Sequence, residues 1–286
     1  MKQYLEAMKY VLENGVDRPN RTGIGTRAVF GMQQRYDLRQ GFPAVTTKKL
    51  AFKTMTAELL WFIEGSSDNN RLNELGCHIW DANAEADYWK PRAKFPGDLG
   101  RVYGVQWRHW QKPDLPDRQA GGTEVDQLAN LVENITAVAK DPTLSVARRL
   151  VLTAWNPGEL DQMALPPCHM FAQFFVANGE LSCQMYQRSC DMFLGVPFNI
   201  ASYSLLLSIL AQVTGLKPAE FVHTLGDAHI YAKHIDQVKE QLSRTPHKLP
   251  KLWLNPDVKS IDDFAMDDIK LEDYEYDPPI KAKMAV

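Results

Sequence analysis

The stretch "FNIASYSLLLSILAQVTG", residues 198–215, most constrains how this chain can fold. It reads as one long helix that is apolar on nearly every side, whereas a surface helix keeps a polar face. Such a helix has to be wrapped by other elements, so it is expected at the centre, with Gly215 as its C-terminal cap. Residues 170–176 and 181–187 flank Asn178-Gly179, a dipeptide that tolerates the positive φ angles of a tight hairpin. In the second of these strands Ser182, Gln184, Tyr186 and Arg188 share one face.

The remaining pattern mixes strands and helices without strict alternation. Residues 25–38, 148–155 and 219–231 read as strands. The first fifteen residues, 53–65, 125–138 and 232–243 read as helices; Gly65 caps the second of these and Asp141-Pro142 stops the third. The turn-rich segments 83–104 and 112–124 read as surface excursions, one or both near a site. The expected class is α+β, with a large mixed β-sheet packed against helices in a single domain over residues 1–286.

Charge and cysteine usage limit the function. With 32 basic and 35 acidic residues the net charge is −3, so no polyanion is expected as the main partner and any anion site must be local. The N-terminus reads as an amphipathic helix, and no stretch is expected to approach the roughly 18 apolar residues of a membrane span. A cytoplasmic protein is the simplest expectation. Cys77, Cys168, Cys183 and Cys190 form no CxxC pair, so reduced thiols are expected.

Several residues could carry chemistry. Glu58 sits among Met55, Leu59 and Phe62 on an apolar face, where a carboxylate must be paired, protonated or wetted by ordered water. Cys168, in "LPPCHMF", follows two prolines that would stiffen its approach; it is either a nucleophile or a small residue entering a strand. His169 does not supply a base by adjacency, because consecutive strand residues point to opposite faces. Arg188 with Ser189 could bind phosphate, as could Arg21, Arg148 or Arg149. Asn199 is a helix cap or a base-reading amide. His229 and His234 have the wrong spacing for a shared metal, and no metal site is expected.

The ordered set "NRTGIGT", "FPAVTTKK", "AELLWFIEG", "GRVYGVQWR", "LPPCH", "LSCQMYQRSCDMFLGVPFNIASY" and "GDAHIY" resembles the thymidylate synthase family along essentially the whole chain. The resemblance implies reductive methylation of dUMP to dTMP, with 5,10-methylenetetrahydrofolate as one-carbon and hydride donor and dihydrofolate as product. It implies Cys168 as the nucleophile that adds to carbon 6 of uracil. Glu58 would act through water at O4, and Tyr103 would belong to the network that removes the carbon 5 proton. Arg21, Arg188 and Ser189 would hold the phosphate, with Arg148 and Arg149 supplied by the other subunit of a symmetric dimer formed through a sheet face. Asn199 would read the uracil edge, and His229 and Tyr231 the ribose. Asp191, Ile79, Trp80, Leu194, Gly195 and Phe198 would line the folate site, and the tail, including Ala285, would close over it.

Ala51, Asn83, Lys283 and Met284 depart from the family's usual residues around the folate. That keeps a second reading in view, a hydroxymethylase that adds water in place of hydride. Asn199, where cytosine-specific relatives carry aspartate, argues for uracil. A catalytically silent nucleotide- or RNA-binding protein on the same fold is the third reading, and intact Cys168 and Glu58 argue against it.

Overall fold

The computed structural model describes residues 1–19, 23–112 and 124–283. In chain order, α1 (Lys2–Asn14) buries Tyr4, Ala7, Met8 and Val11 at helical spacing. Strands β1 (Val16–Arg18) and β2 (Thr26–Asp37) follow. Helices α2 (Phe52–Ile63), α3 (Asn69–Glu74), α4 (Asp81–Ala84) and α5 (Tyr103–Arg108) come next, then a small ribbon of β3 (Trp110–Gln111) and β4 (Glu124–Val125). Helix α6 (Gln127–Lys140) starts where the Asp126 side chain accepts the Ala129 N–H. Then come β5 (Val151–Thr153), β6 (His169–Ala177), β7 (Glu180–Asp191), α7 (Gly195–Val213), β8 (Lys217–Tyr231) and α8 (Ile235–Leu242). A ribbon of β9 (Lys251–Leu254) and β10 (Ile269–Glu272) lies near the end.

Six strands form one mixed sheet in the order β1-β2-β8-β7-β6-β5. Every pair is antiparallel except β7 with β8. That exception has a mechanical cause: α7 connects the two strands, and a helical crossover returns the chain in the same direction. The hairpin between β6 and β7 turns on Asn178 and Gly179, with φ of 54° and 73° as the dipeptide predicts. Helix α7 is buried along nearly its whole length. Among the described residues it is the one helix long and apolar enough to cross a membrane, contrary to the expectation of none, and 78% of that stretch is buried inside the protein.

The two sheet faces differ sharply. Cys183, Met185 and Gln187 of β7 and Phe221, His223 and Leu225 of β8 are buried on the α7 side. On the opposite face Phe175 pairs with Ser182, Phe171 with Tyr186, and the Thr224 hydroxyl accepts from both Gln33 and Gln184. Phe175 is 64% exposed there.

Three expectations need correction. The strand expected over 148–155 is confined to β5, because Ser145–Arg148 forms a 3-10 turn and, among the described residues, β5 has only β6 to pair with. Residues 83–104 are not a surface excursion throughout: Trp89, Leu99, Val102 and Tyr103 are buried, and short turns fold around them. Residues 232–234 form a 3-10 turn before α8.

Candidate active site

A β-bulge opens the site. His169 pairs with Gln187 but Phe171 pairs with Tyr186, so the ladder slips by one residue at Met170. The slip leaves His169 buried on the core face while Phe171 stands on the outer face, which simple strand alternation would not allow. Cys168 lies immediately before this bulge, at the end of the Pro166-Pro167 turn.

Of the four cysteines only Cys168 is partly exposed; the other three are buried. Its backbone is held on both sides. The Cys168 N–H donates to the Tyr103 hydroxyl at 2.8 Å, and its carbonyl accepts the Arg188 N–H at 2.8 Å. Arg188 also braces the turn, donating from Nε to the Pro167 carbonyl at 2.8 Å and from Nη2 to the Pro166 carbonyl at 2.9 Å. Its guanidinium sits 5.2 Å from the centre of the Trp155 ring. The arginine read from sequence as an anion ligand is therefore first a strut for the cysteine turn.

The electrostatics of the thiol are opposed. Burial pushes its pKa above the usual value, while the Arg188 charge and hydrogen bonds from Tyr103 and Ser189 pull it down. Burial outweighs the other causes. Tyr103 itself is buried, and that burial keeps its phenol protonated well past the usual range. His169 stacks on Tyr103 with ring centres 4.2 Å apart, and its Nδ1 lies 2.9 Å from the Tyr203 hydroxyl. Burial lowers the His169 pKa to about 3, so the ring is neutral and structural.

Glu58 is on α2, whose residues from Met55 to Ile63 are all buried. The apolar face expected to carry it is thus the whole helix circumference. The Glu58 carboxylate accepts from Trp80 Nε1 at 2.7 Å, its one side-chain bond among the described residues. Burial raises its pKa to about 7, against which the Trp80 bond works. This is an acid poised to gain or lose a proton near neutrality. Gly104 brings Tyr103 to the same region: a Cβ there would meet the Phe62 carbonyl oxygen of α2 at 2.4 Å, so only glycine allows α5 this close.

Asn199 stands in the first turns of α7, half-buried, and its Oδ1 accepts from Gln187 Nε2 at 3.0 Å. Asp191 ends β7 and holds the turn that leads into α7: its Oδ1 accepts the N–H groups of Phe193 and Leu194 at 3.0 and 3.1 Å. Ile79, Leu194 and Phe198 are partly buried against the core and Trp80 is buried. His229 is held by Asp227, through its carbonyl at 3.1 Å and carboxylate at 3.2 Å, and packs edge-on to Tyr231 at 5.2 Å. Arg18 bonds the same Asp227 at 2.8 Å.

Other candidates do not join this group. Arg148 and Arg149 are exposed on the turn before β5; Arg149 bonds Ser145 Oγ at 3.0 Å. Arg21, Met284 and Ala285 lie outside the described residues. Lys283 is described, and its carbonyl lies 2.9 Å from His234 Nε2, which ties the tail to the start of α8. Among the described residues no group of three His, Cys, Asp or Glu is placed to hold a metal ion. Sequence reasoning missed Gln187 and His223, since a polar residue inside a strand carries no local sign of what it will face, and Trp155, which lies just past β5 and meets Arg188 only through the fold.

A family model described as Thymidylate synthase matches residues 2–286.

Proposed function

The chain belongs to the thymidylate synthase family, and on that premise we propose that it converts dUMP to dTMP with 5,10-methylenetetrahydrofolate. The observation that carries the reading is the Cys168 turn: a partly exposed cysteine, braced by Arg188 and Tyr103, with an acid of pKa about 7 in Glu58.

The chemistry asked of these residues is specific. Carbon 5 of uracil is a poor nucleophile until a thiolate adds at carbon 6 and makes an enolate. Cys168 adds there and later leaves. The charge that develops at O4 needs a nearby proton source, and Glu58, half ionised near pH 7, fits that task. Asn199 pairs with the O4 and N3 edge, and His229 with Tyr231 meets the ribose. Arg188 presents its remaining Nη1 to the phosphate, together with Ser189 and Arg21. The Tyr103 hydroxyl, at the cysteine backbone, belongs to the network that takes the carbon 5 proton. The folate supplies the one-carbon unit and then a hydride; Asp191, Ile79, Trp80, Leu194, Gly195 and Phe198 hold it, and the tail with Ala285 covers it. No metal step is needed.

We read the active unit as a homodimer. The outer sheet face exposes Phe171 and Phe175 beside Gln33, Gln184 and Thr224, a mixed surface that a second copy would cover. Exposed Arg148 and Arg149 would then reach the partner's phosphate.

The test is to mix the protein with dUMP and methylenetetrahydrofolate, follow dihydrofolate by absorbance and weigh the nucleotide product. A methyl gain matched by dihydrofolate is expected. A hydroxymethyl gain with tetrahydrofolate released would replace this reading by the hydroxymethylase one and direct attention to Ala51 and Asn83. Cys168→Ser should abolish turnover while dUMP binding stays measurable; turnover by that variant would sink the mechanism.

A further inference from the structure

We propose that Gln187 and His223 are positioning residues that set the polarity of the Asn199 amide, and through it the preference for uracil over cytosine. The inference rests on the dUMP reading above.

Its anchor is a backbone carbonyl. A carbonyl oxygen only accepts, so the Gln187 atom 2.9 Å from the Ser189 oxygen is the donor Nε2. The same nitrogen lies 3.0 Å from Asn199, so the asparagine atom facing it is the acceptor Oδ1. The other end of the Gln187 amide, Oε1, lies 2.9 Å from His223 Nε2, which must therefore carry a hydrogen. Among the described residues His223 Nδ1 has no partner, and burial lowers the imidazole pKa to about 3, so the ring is neutral with its one hydrogen on Nε2.

Burial makes this order rigid. Gln187 is 2% exposed and His223 is fully buried. Turning the Gln187 amide over would put its oxygen against the Ser189 carbonyl and the Asn199 oxygen, and would force the His223 hydrogen from Nε2 to Nδ1, where a buried donor finds no acceptor. Each such mismatch leaves buried polar groups unpaired. With Oδ1 held by Gln187, Asn199 turns its Nδ2 donors to the other side. Uracil offers a carbonyl oxygen at position 4, which accepts. Cytosine offers an amino group there, which sets donor against donor.

Calorimetric titration of dUMP and dCMP into the full-length protein tests this, with His223→Phe, Gln187→Met and His223→Gln as variants. In His223→Phe the Gln187 oxygen loses its donor; in Gln187→Met Asn199 loses its partner and either amide end can face the base. For both, the dUMP-to-dCMP preference should fall about tenfold or more, with dCMP binding held or tightened. His223→Gln restores an amide donor and should keep the preference within about threefold of the wild type. An unchanged preference in the first two variants, or equal weakening of both nucleotides, overturns the relay and leaves these residues purely structural. If His223→Phe does not fold by circular dichroism, Gln187→Met decides alone. A wild type with no preference for dUMP overturns the uracil reading itself, and the relay with it.

Discussion

At the residue scale, the informative anomaly is a carboxylate inside an apolar helix. Glu58 is legible in the sequence because an acid among Met55, Leu59 and Phe62 breaks the pattern, and its burial then explains its pKa of about 7. The sign of its effect on stability follows. The folded acid keeps its proton up to about pH 7, whereas in the unfolded chain it loses it near 4.5. The folded state thus binds more protons between these values, and stability falls as pH rises through that window. Glu58→Gln should remove the loss, leaving the variant more stable than the wild type at pH 8 by up to roughly 3 kcal/mol. Urea unfolding at pH 4 and pH 8 checks this; a constant difference between the two pH values would contradict it. The same variant should lose turnover by about a hundredfold or more, as expected of a general acid–base residue. Cys168, by contrast, reads alone as an ordinary small residue. Its partners Tyr103 and Arg188 are 65 and 20 positions away in the chain, and only the fold brings them together.

At the element scale, local patterns predicted α1, α6, α7 and the β6–β7 hairpin closely, because each is decided by its own periodicity or turn chemistry. Where tertiary partners decide, the reading failed. The strand at 148–155 shrank to three residues paired with β6, and the bulge at Met170 left no mark in the sequence. The contact of α5 with α2 is of this second kind. A Cβ on Gly104 would stand 2.4 Å from the Phe62 carbonyl oxygen and 2.7 Å from its Cα, both backbone atoms that cannot swing aside. Gly104→Ala should therefore cost about 1–3 kcal/mol of stability, as overpacking does. It should also slow turnover by displacing Tyr103 from the Cys168 N–H. Thermal unfolding with parallel kcat measurement tests both parts; a variant of wild-type stability would show that α5 is free to move.

At the scale of the whole molecule, a six-stranded sheet buries one face under α7 and leaves Phe171 and Phe175 on the other. If that face joins two copies and the arginines cross between them, sites can be rebuilt from two defective subunits. Cys168→Ser chains mixed with Arg148→Ala/Arg149→Ala chains, after brief unfolding and refolding together, should regain activity absent from either parent alone. A mixture that forms dimers yet stays inactive would show that each site is complete within one subunit. What the sequence determined by itself is what short-range physics controls: an apolar helix that has to be central, a hairpin on Asn178-Gly179, a misplaced acid, and an ordered set of stretches that points to one family. What only the tertiary structure decided is how residues distant in the chain face one another. The Arg188 struts on Pro166 and Pro167, the Trp80 bond to Glu58 and the His223–Gln187–Asn199 relay join separate elements. Their geometry comes from strand register and helix approach, and no local pattern of residues encodes it.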